Sequence, residues 1–181
     1  MKLRWALVVM GMWSMGSICM SVVATENFYT IDRLLDTSTN VEFHGAVQKL
    51  GHAPARDLLR YLSSELNRLY FQSWNVAQLV LGGLALWLLA TSQASSEMQD
   101  AHRRRALWGV AAMVVVVVLM LGYLTPQIVL LGRSLDFVPR DPAPPGMQRF
   151  WILHAAYTSL EMLKLLTGVV VAWWITNWGA A

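Results

Sequence analysis

Cys19 is the only thiol in this 181-residue chain, and it sits within an apolar segment. It has no partner for an internal disulfide and no second sulfur for a cysteine-based zinc site. Charge is scarce as well. Lys, Arg, Asp and Glu make up 14% of the residues, against about 25% in an ordinary soluble domain, while 56% of the chain is hydrophobic. The signatures of common chemistry are missing: no G-x-S-x-G, no H-E-x-x-H, no Gly-rich phosphate loop, no internal repeat and no C-x-x-C-H. One histidine, His154, falls inside a candidate span, so a haem held by two histidines lacks its second ligand. The formal charge of +3 has no soluble basic domain behind it, which removes nucleic acid as a partner. No cofactor is expected from these features.

What the chain has is hydrophobic length. Segments at about 5–24, 69–91, 106–131 and 150–176 each reach the ~20 residues a membrane helix needs. The expectation is an all-α polytopic membrane protein, a bundle of four transmembrane helices forming one integral domain over residues 1–181. The first segment exceeds the roughly 7–15 residues of a signal's apolar region, which favours a retained span over a cleaved leader. The third contains five consecutive valines from Val114 to Val118, and Pro126 is expected to kink or end it. Lys2 and Arg4 precede the first span, and Arg103, Arg104 and Arg105 close the polar linker 92–105 before the third. By the positive-inside rule both termini are cytoplasmic, in a bacterial-type inner or plasma membrane. The outer segments also carry arginines, most of them beside acidic residues.

Residues 25–68 form an outer polar helical segment. Phe28, Ile31, Leu34 and Leu35 predict an amphipathic interfacial helix, and Thr39 with Glu42 reads as a capping box opening another that stops at Gly51. Pro54 fits the first position of a further helix with Leu58, Leu62, Leu66 and Leu69 on one stripe. Asp57, Arg60, Glu65 and Arg68 are placed there for i,i+3 pairs. No breaker separates this helix from the second span, so one long helix is predicted, with Gly82-Gly83 as a packing or bending point. Ser134 to Gly146 reads as an ordered proline-rich loop.

The fourth segment carries polar groups where hydrocarbon belongs. At about 100° per residue, His154, Tyr157, Thr158, Glu161, Leu165, Gly168 and Ala172 share one side, with Lys164 about 80° from the His154 line. A charge near the bilayer centre costs roughly 2.5–3.5 kcal/mol on insertion scales, so this side should turn into the bundle or a wet cavity. Glu161 and Lys164, three apart, are placed to neutralise each other, and a purely structural pair competes with a proton relay or ligand contact through His154 and Glu161. Asn75 and Gln78, then Tyr123, Thr125 and Gln127, fall at similar depth to His154 and Tyr157. Together they predict an outward-facing vestibule rimmed by Arg68, Arg133, Asp136 and Arg149 and narrowing toward Glu161 and Lys164. The plainer alternative is that these groups satisfy one another between helices. Met12, Met15 and Cys19 follow an i, i+3, i+7 stripe suited to a soft metal such as Cu(I), or simply to packing.

The fourth helix contains Phe150-x-x-x-His154, the third ends near Pro126, and the first carries Trp13 and Gly16. This layout resembles the poorly characterised family of small four-helix membrane proteins whose human member is associated with platinum-drug resistance. The likeness implies the four-span topology. Where that family's pattern has Gly, Ser and Asn after the histidine, this chain has Ala155, Tyr157 and Glu161, and its segment 25–72 is enlarged. With no complete catalytic set in view, the leading expectation is a non-enzymatic accessory or scaffolding subunit. Its partners would be the lipid bilayer and either another membrane protein or further copies of itself. The alternative is a carrier or binding protein for a small polar solute, proton or soft metal, and a third reading is a membrane enzyme using the same residues.

Overall fold

The computed structural model describes residues 1–93 and 96–180, and among them every regular element is helical. The chain runs α1 (Lys2–Thr37), α2 (Val41–Leu50), α3 (His52–Ala90), α4 (Glu97–Leu119), a π-helical turn (Met120–Leu124), α5 (Thr125–Ser134) and α6 (Met147–Ala180). Four stretches are long and apolar enough to cross a membrane: α1, α3, the α4–α5 rod and α6. Each rod packs on two others, with α1 and α4 both lying between α3 and α6. The bundle has a lower end, where α1 starts and α4 begins, and an upper end carrying α2 and the loop between α5 and α6. Part of the expected polar linker, residues 94 and 95, lies outside the described residues.

The spans pack by close approach. Trp13, Met10, Leu89, Val110, Val117, Val171 and Ile175 are sealed in the main core, which fills the lower half. A Cβ on Gly82 would strike Val114 and come within 3.0 Å of Trp13, and one on Gly168 would meet Ser14 Oγ at 3.2 Å. Small residues at these crossings let van der Waals packing hold helices together where no hydrophobic drive operates in lipid. At the lower rim Lys2 Nζ donates to the Thr91 carbonyl at 3.1 Å, placing a cation on the C-terminus of α3. Ser96 caps α4 by accepting from the Gln99 N–H at 3.2 Å.

The segment between the first two spans differs from its expectation. The stretch containing Phe28, Ile31, Leu34 and Leu35 is not a separate interfacial helix. It continues α1 without a break, because nothing between Ala24 and Thr37 interrupts the backbone ladder. At 36 residues α1 is about 54 Å long, well beyond the ~30 Å hydrocarbon core, and α3 at 39 residues is longer still. The two extensions pack through Ile31, Leu35 and Ala55, and Phe43 and Val47 of α2 lie against this small second core. The cap of α2 is Asn40, whose Oδ1 accepts the Phe43 N–H at 2.7 Å, rather than Thr39; Gly51 ends the helix at φ 90°. Pro54 sits at the third position of α3, and the leucine stripe Leu58, Leu62 and Leu69 faces outward. The buried side of α3 is polar instead. Asn67 donates to the Ala24 carbonyl at 3.0 Å and accepts from Asn27 at 2.6 Å, and Ser63 donates to the Asn27 carbonyl at 3.1 Å.

Pro126 neither ends nor sharply breaks the third rod. Its missing N–H is absorbed by the π-helical turn just before it, where the Thr125 N–H bonds back to the Met120 carbonyl and α5 then proceeds with proline in its first turn. That turn rotates Thr125 into the bundle. The loop after α5 is pinned to α3 by the Arg68–Asp136 contact at 2.8 Å and by Phe137 against Tyr61 at 5.2 Å.

Candidate functional site

A chain of buried polar side chains crosses the middle of the bundle and touches all four spanning rods. Its centre is Gln78 on α3, with no surface exposed. Gln78 Oε1 accepts from Trp13 Nε1 at 2.8 Å and from Lys164 Nζ, while its Nε2 donates to Asn75 Oδ1 at 3.3 Å and Glu161 Oε1 at 3.5 Å. Both donors and both acceptor positions of the amide are thereby used. Asn75, equally buried, accepts from the Tyr157 hydroxyl at 3.2 Å and donates to Thr125 Oγ1 at 3.0 Å. Lys164 Nζ donates to Glu161 Oε1 at 2.9 Å, and Ser17 Oγ donates to Glu161 Oε2 at 3.3 Å while accepting from Trp74 Nε1 at 3.3 Å. Glu161 retains 8% of its surface and Lys164 3%. Such burial is tolerable because each polar atom has a partner: an unpaired one in hydrocarbon would cost several kcal/mol.

Above this network the bundle opens. A cleft of about 640 Å³ lies between the upper halves of α1 and α6, backed by α3 and α5, with Glu161, Tyr157 and Thr125 at its floor and Arg60, Arg68, Asp136 and Arg140 near its mouth. The opening follows from how α1 and α6 diverge. Lower down they meet at Gly168, close to Ser14 and Met10, and at Ser17 with Glu161. Higher up, Ser21, Thr25 and Phe28 of α1 and Trp151, His154 and Thr158 of α6 line the cleft instead. Below the floor lies the sealed apolar core containing Trp13, Met113 and Val171. The cleft is therefore a pocket closed at depth. His154 stacks on Phe150 with ring centroids 5.9 Å apart, and its imidazole nitrogens have no hydrogen-bond partner among the described residues.

The residues singled out by sequence separate into four groups. Asn75, Gln78, Thr125, Tyr157, Glu161 and Lys164 meet in the network, and His154 lines the cleft above it. Gln127 and Tyr123 do not join them: Gln127 Oε1 accepts from Arg149 Nη2 at 3.2 Å on the flank of α5 and α6, and Tyr123 is exposed on the outside of the π turn. At the rim, Arg68 bridges Asp136 and Glu65, and Arg133 reaches Glu65 at 3.6 Å, while Arg149 stands apart with Gln127. Among the described residues no ion pair joins Asp57 to Arg60. Met12, Met15 and Cys19 all face out of the bundle.

Sequence reasoning missed Trp13, Ser17 and Trp74 in the network, and Asn27, Ser63 and Asn67 in the ladder above it. The signal was present for the ladder: Ser63, Asn67, Asn75 and Gln78 recur at helical spacing on one side of α3. Ser17 and Trp74 carry no such signal, since a serine or tryptophan in an apolar span is unremarkable until its neighbour across the bundle is known. No family model, curated protein or solved structure matches the chain.

Proposed function

We propose that this is a non-enzymatic integral membrane protein that binds a small molecule in the cleft between α1, α3, α5 and α6. The single observation that carries the reading is the cleft itself, about 640 Å³ and within the range of small-molecule sites, closed below by a saturated polar network and a dry core. In this reading Glu161 and Lys164 form an intramembrane ion pair that fixes the floor rather than a conducting path, since Gln78, Ser17 and each other occupy their polar atoms. The imidazole of His154, without a hydrogen-bond partner among the described residues, is the contact for a polar group of the ligand. The membrane is a bacterial-type inner or plasma membrane, with Lys2, Arg4 and the arginine triplet on the cytoplasmic side and the cleft facing outward. The kinship with the platinum-resistance-associated family belongs to this proposal too, as a shared four-span layout.

A second reading is supported by α2. None of its residues is buried, and Val41 and Leu50 stand exposed well outside the spans. That surface suits an accessory or scaffolding subunit docked on a larger membrane assembly. A soft metal at Met12, Met15 and Cys19 would require a contact between copies of the chain, because the stripe faces outward.

Mass spectrometry of the protein drawn from its native membrane in gentle detergent separates the readings. The cleft reading expects one small molecule per chain, lost in Thr158→Trp, where an indole would fill the groove from α6. An empty chain accompanied by a stoichiometric protein partner would replace it with the accessory reading.

A further inference from the structure

The mouth and walls of the cleft differ in what they leave unsatisfied. On the walls, three hydroxyls that look polar in sequence are turned back on their own helices: Ser21 donates to the Ser17 carbonyl at 2.9 Å, Thr25 to Ser21 at 2.8 Å and Thr158 to His154 at 3.0 Å. With their protons spent in this way, they present carbon and a lone pair to the groove. Phe28, Phe71, Ile128, Val129, Phe150 and Trp151 supply much of the rest of the wall. The upper groove is therefore largely apolar, with His154 the polar exception on the α6 wall, and its side between α1 and α6 is flanked by the exposed Phe28 and Trp151.

At the mouth two arginines lack an ion-pair partner. Arg68 and Asp136 are paired with each other, but among the described residues neither Arg60 nor Arg140 has a carboxylate within salt-bridge distance. Asp32, which shares a surface hollow with Arg60, accepts from Arg56 Nε at 2.9 Å and Arg56 Nη2 at 3.0 Å. Partial burial, and then the charge of Arg140, push the Arg60 guanidinium below its ordinary value, with Arg56 adding to the repulsion and Asp32 and Asp57 opposing it. Two arginines lining the mouth of a largely apolar groove without ion-pair partners are an arrangement that an anion would relieve.

Building on the cleft reading above, we infer that the ligand is an anionic lipid: its phosphate sits between Arg60 and Arg140, and one acyl chain enters the groove sideways between α1 and α6. Basic pockets between membrane helices take acidic headgroups, and each arginine near the headgroup contributes attraction that a zwitterionic lipid would not match. A cleft of this size suits one chain, the remainder of the lipid staying in the bilayer.

The test uses the full chain, delipidated in detergent and titrated with phosphatidylglycerol or phosphatidylcholine of identical acyl chains, read by native mass spectrometry. One phosphatidylglycerol should bind at least tenfold more tightly than phosphatidylcholine. The double variant Arg60→Gln/Arg140→Gln should weaken phosphatidylglycerol by about tenfold and phosphatidylcholine far less, so that the two affinities converge. Thr158→Trp should weaken both lipids, and Ser21→Trp, filling the groove from the opposite wall, should repeat that result if the first variant folds poorly. Equal affinity for the two lipids would overturn the inference, as would unchanged binding in both tryptophan variants, which would place the headgroup on the surface alone. Full displacement by inorganic phosphate would identify a free anion as the ligand and remove the acyl chain. A non-lipid molecule carried from the native membrane and lost in Thr158→Trp would leave the cleft reading intact and refute the lipid. A cleft that takes neither lipid and carries nothing would refute both.

Discussion

The lower half of the bundle and the upper half are built from the same four rods, yet one is sealed and the other is open. Below the network, Gly82 and Gly168 let α1 pack tightly on α3 and α6, and aliphatic side chains fill the space. Above it, α1 remains bound to α3 through the Asn27–Asn67 ladder but parts from α6. The difference teaches that polar contacts decide where this bundle opens. Lipid tails are as apolar as a helix's leucines, so apolar faces give no preference for one neighbour, whereas directional hydrogen bonds and close glycine contacts do. The network at the boundary belongs to both halves, roofing the dry core and flooring the cleft.

The most forceful way to break this arrangement is to remove one charge from the boundary. Lys164→Met leaves Glu161 buried without its ammonium and should cost roughly 3–5 kcal/mol in thermal or denaturant unfolding in detergent. The double variant Glu161→Leu/Lys164→Met should recover much of that loss, because both desolvation penalties vanish together. A double variant as unstable as the sum of the singles would show that the pair contributes more than mutual neutralisation.

Overpacking the lower half tests its density. Gly82→Ala drives a methyl into Val114 and Trp13 and should destabilise by about 1–3 kcal/mol, whereas Gly83→Ala, with nothing within 4 Å, should be neutral or raise stability by up to about 1 kcal/mol. Equal effects at the two positions would mean that the tight crossing at Gly82 does not hold in solution. Within the network, Asn75→Ala strands Tyr157 and Thr125 and should cost about 1–2 kcal/mol, little for three lost hydrogen bonds because groups in a membrane find substitute partners. The smallest effect belongs to the rim. Arg133, 64% exposed and 3.6 Å from Glu65, should contribute under about 0.5 kcal/mol on replacement by Gln; Arg68, 12% exposed and bridging two carboxylates, should exceed it. Indistinguishable melting shifts for the two would put the loop's anchorage elsewhere, at Phe137 and Tyr61.

Much of this was legible beforehand. The four long helices followed from hydrophobic length, which a backbone that must satisfy its own hydrogen bonds in lipid turns directly into helix. Glu161 and Lys164 announced themselves because charge in an apolar run demands a partner. Other features misled. Leu58, Leu62 and Leu69 formed a regular stripe yet face outward, since the opposite side of α3 meets α1 through small and polar groups. Gln127 looked equivalent to Asn75 and Gln78, but the π turn that brings Thr125 inward leaves Gln127 on the flank with Arg149.

By itself the sequence determined the helical class, the number of long apolar rods and the presence of polar groups among them, because these depend on local composition and period. Tertiary structure alone decided that α1 extends unbroken past the bilayer length, that Ser17 and Trp74 complete the network, and that Arg60 and Arg140 line the mouth of one cleft. Those outcomes depend on which side chain each residue meets across the bundle, and separations such as the 144 residues between Ser17 and Glu161 leave no trace in local pattern.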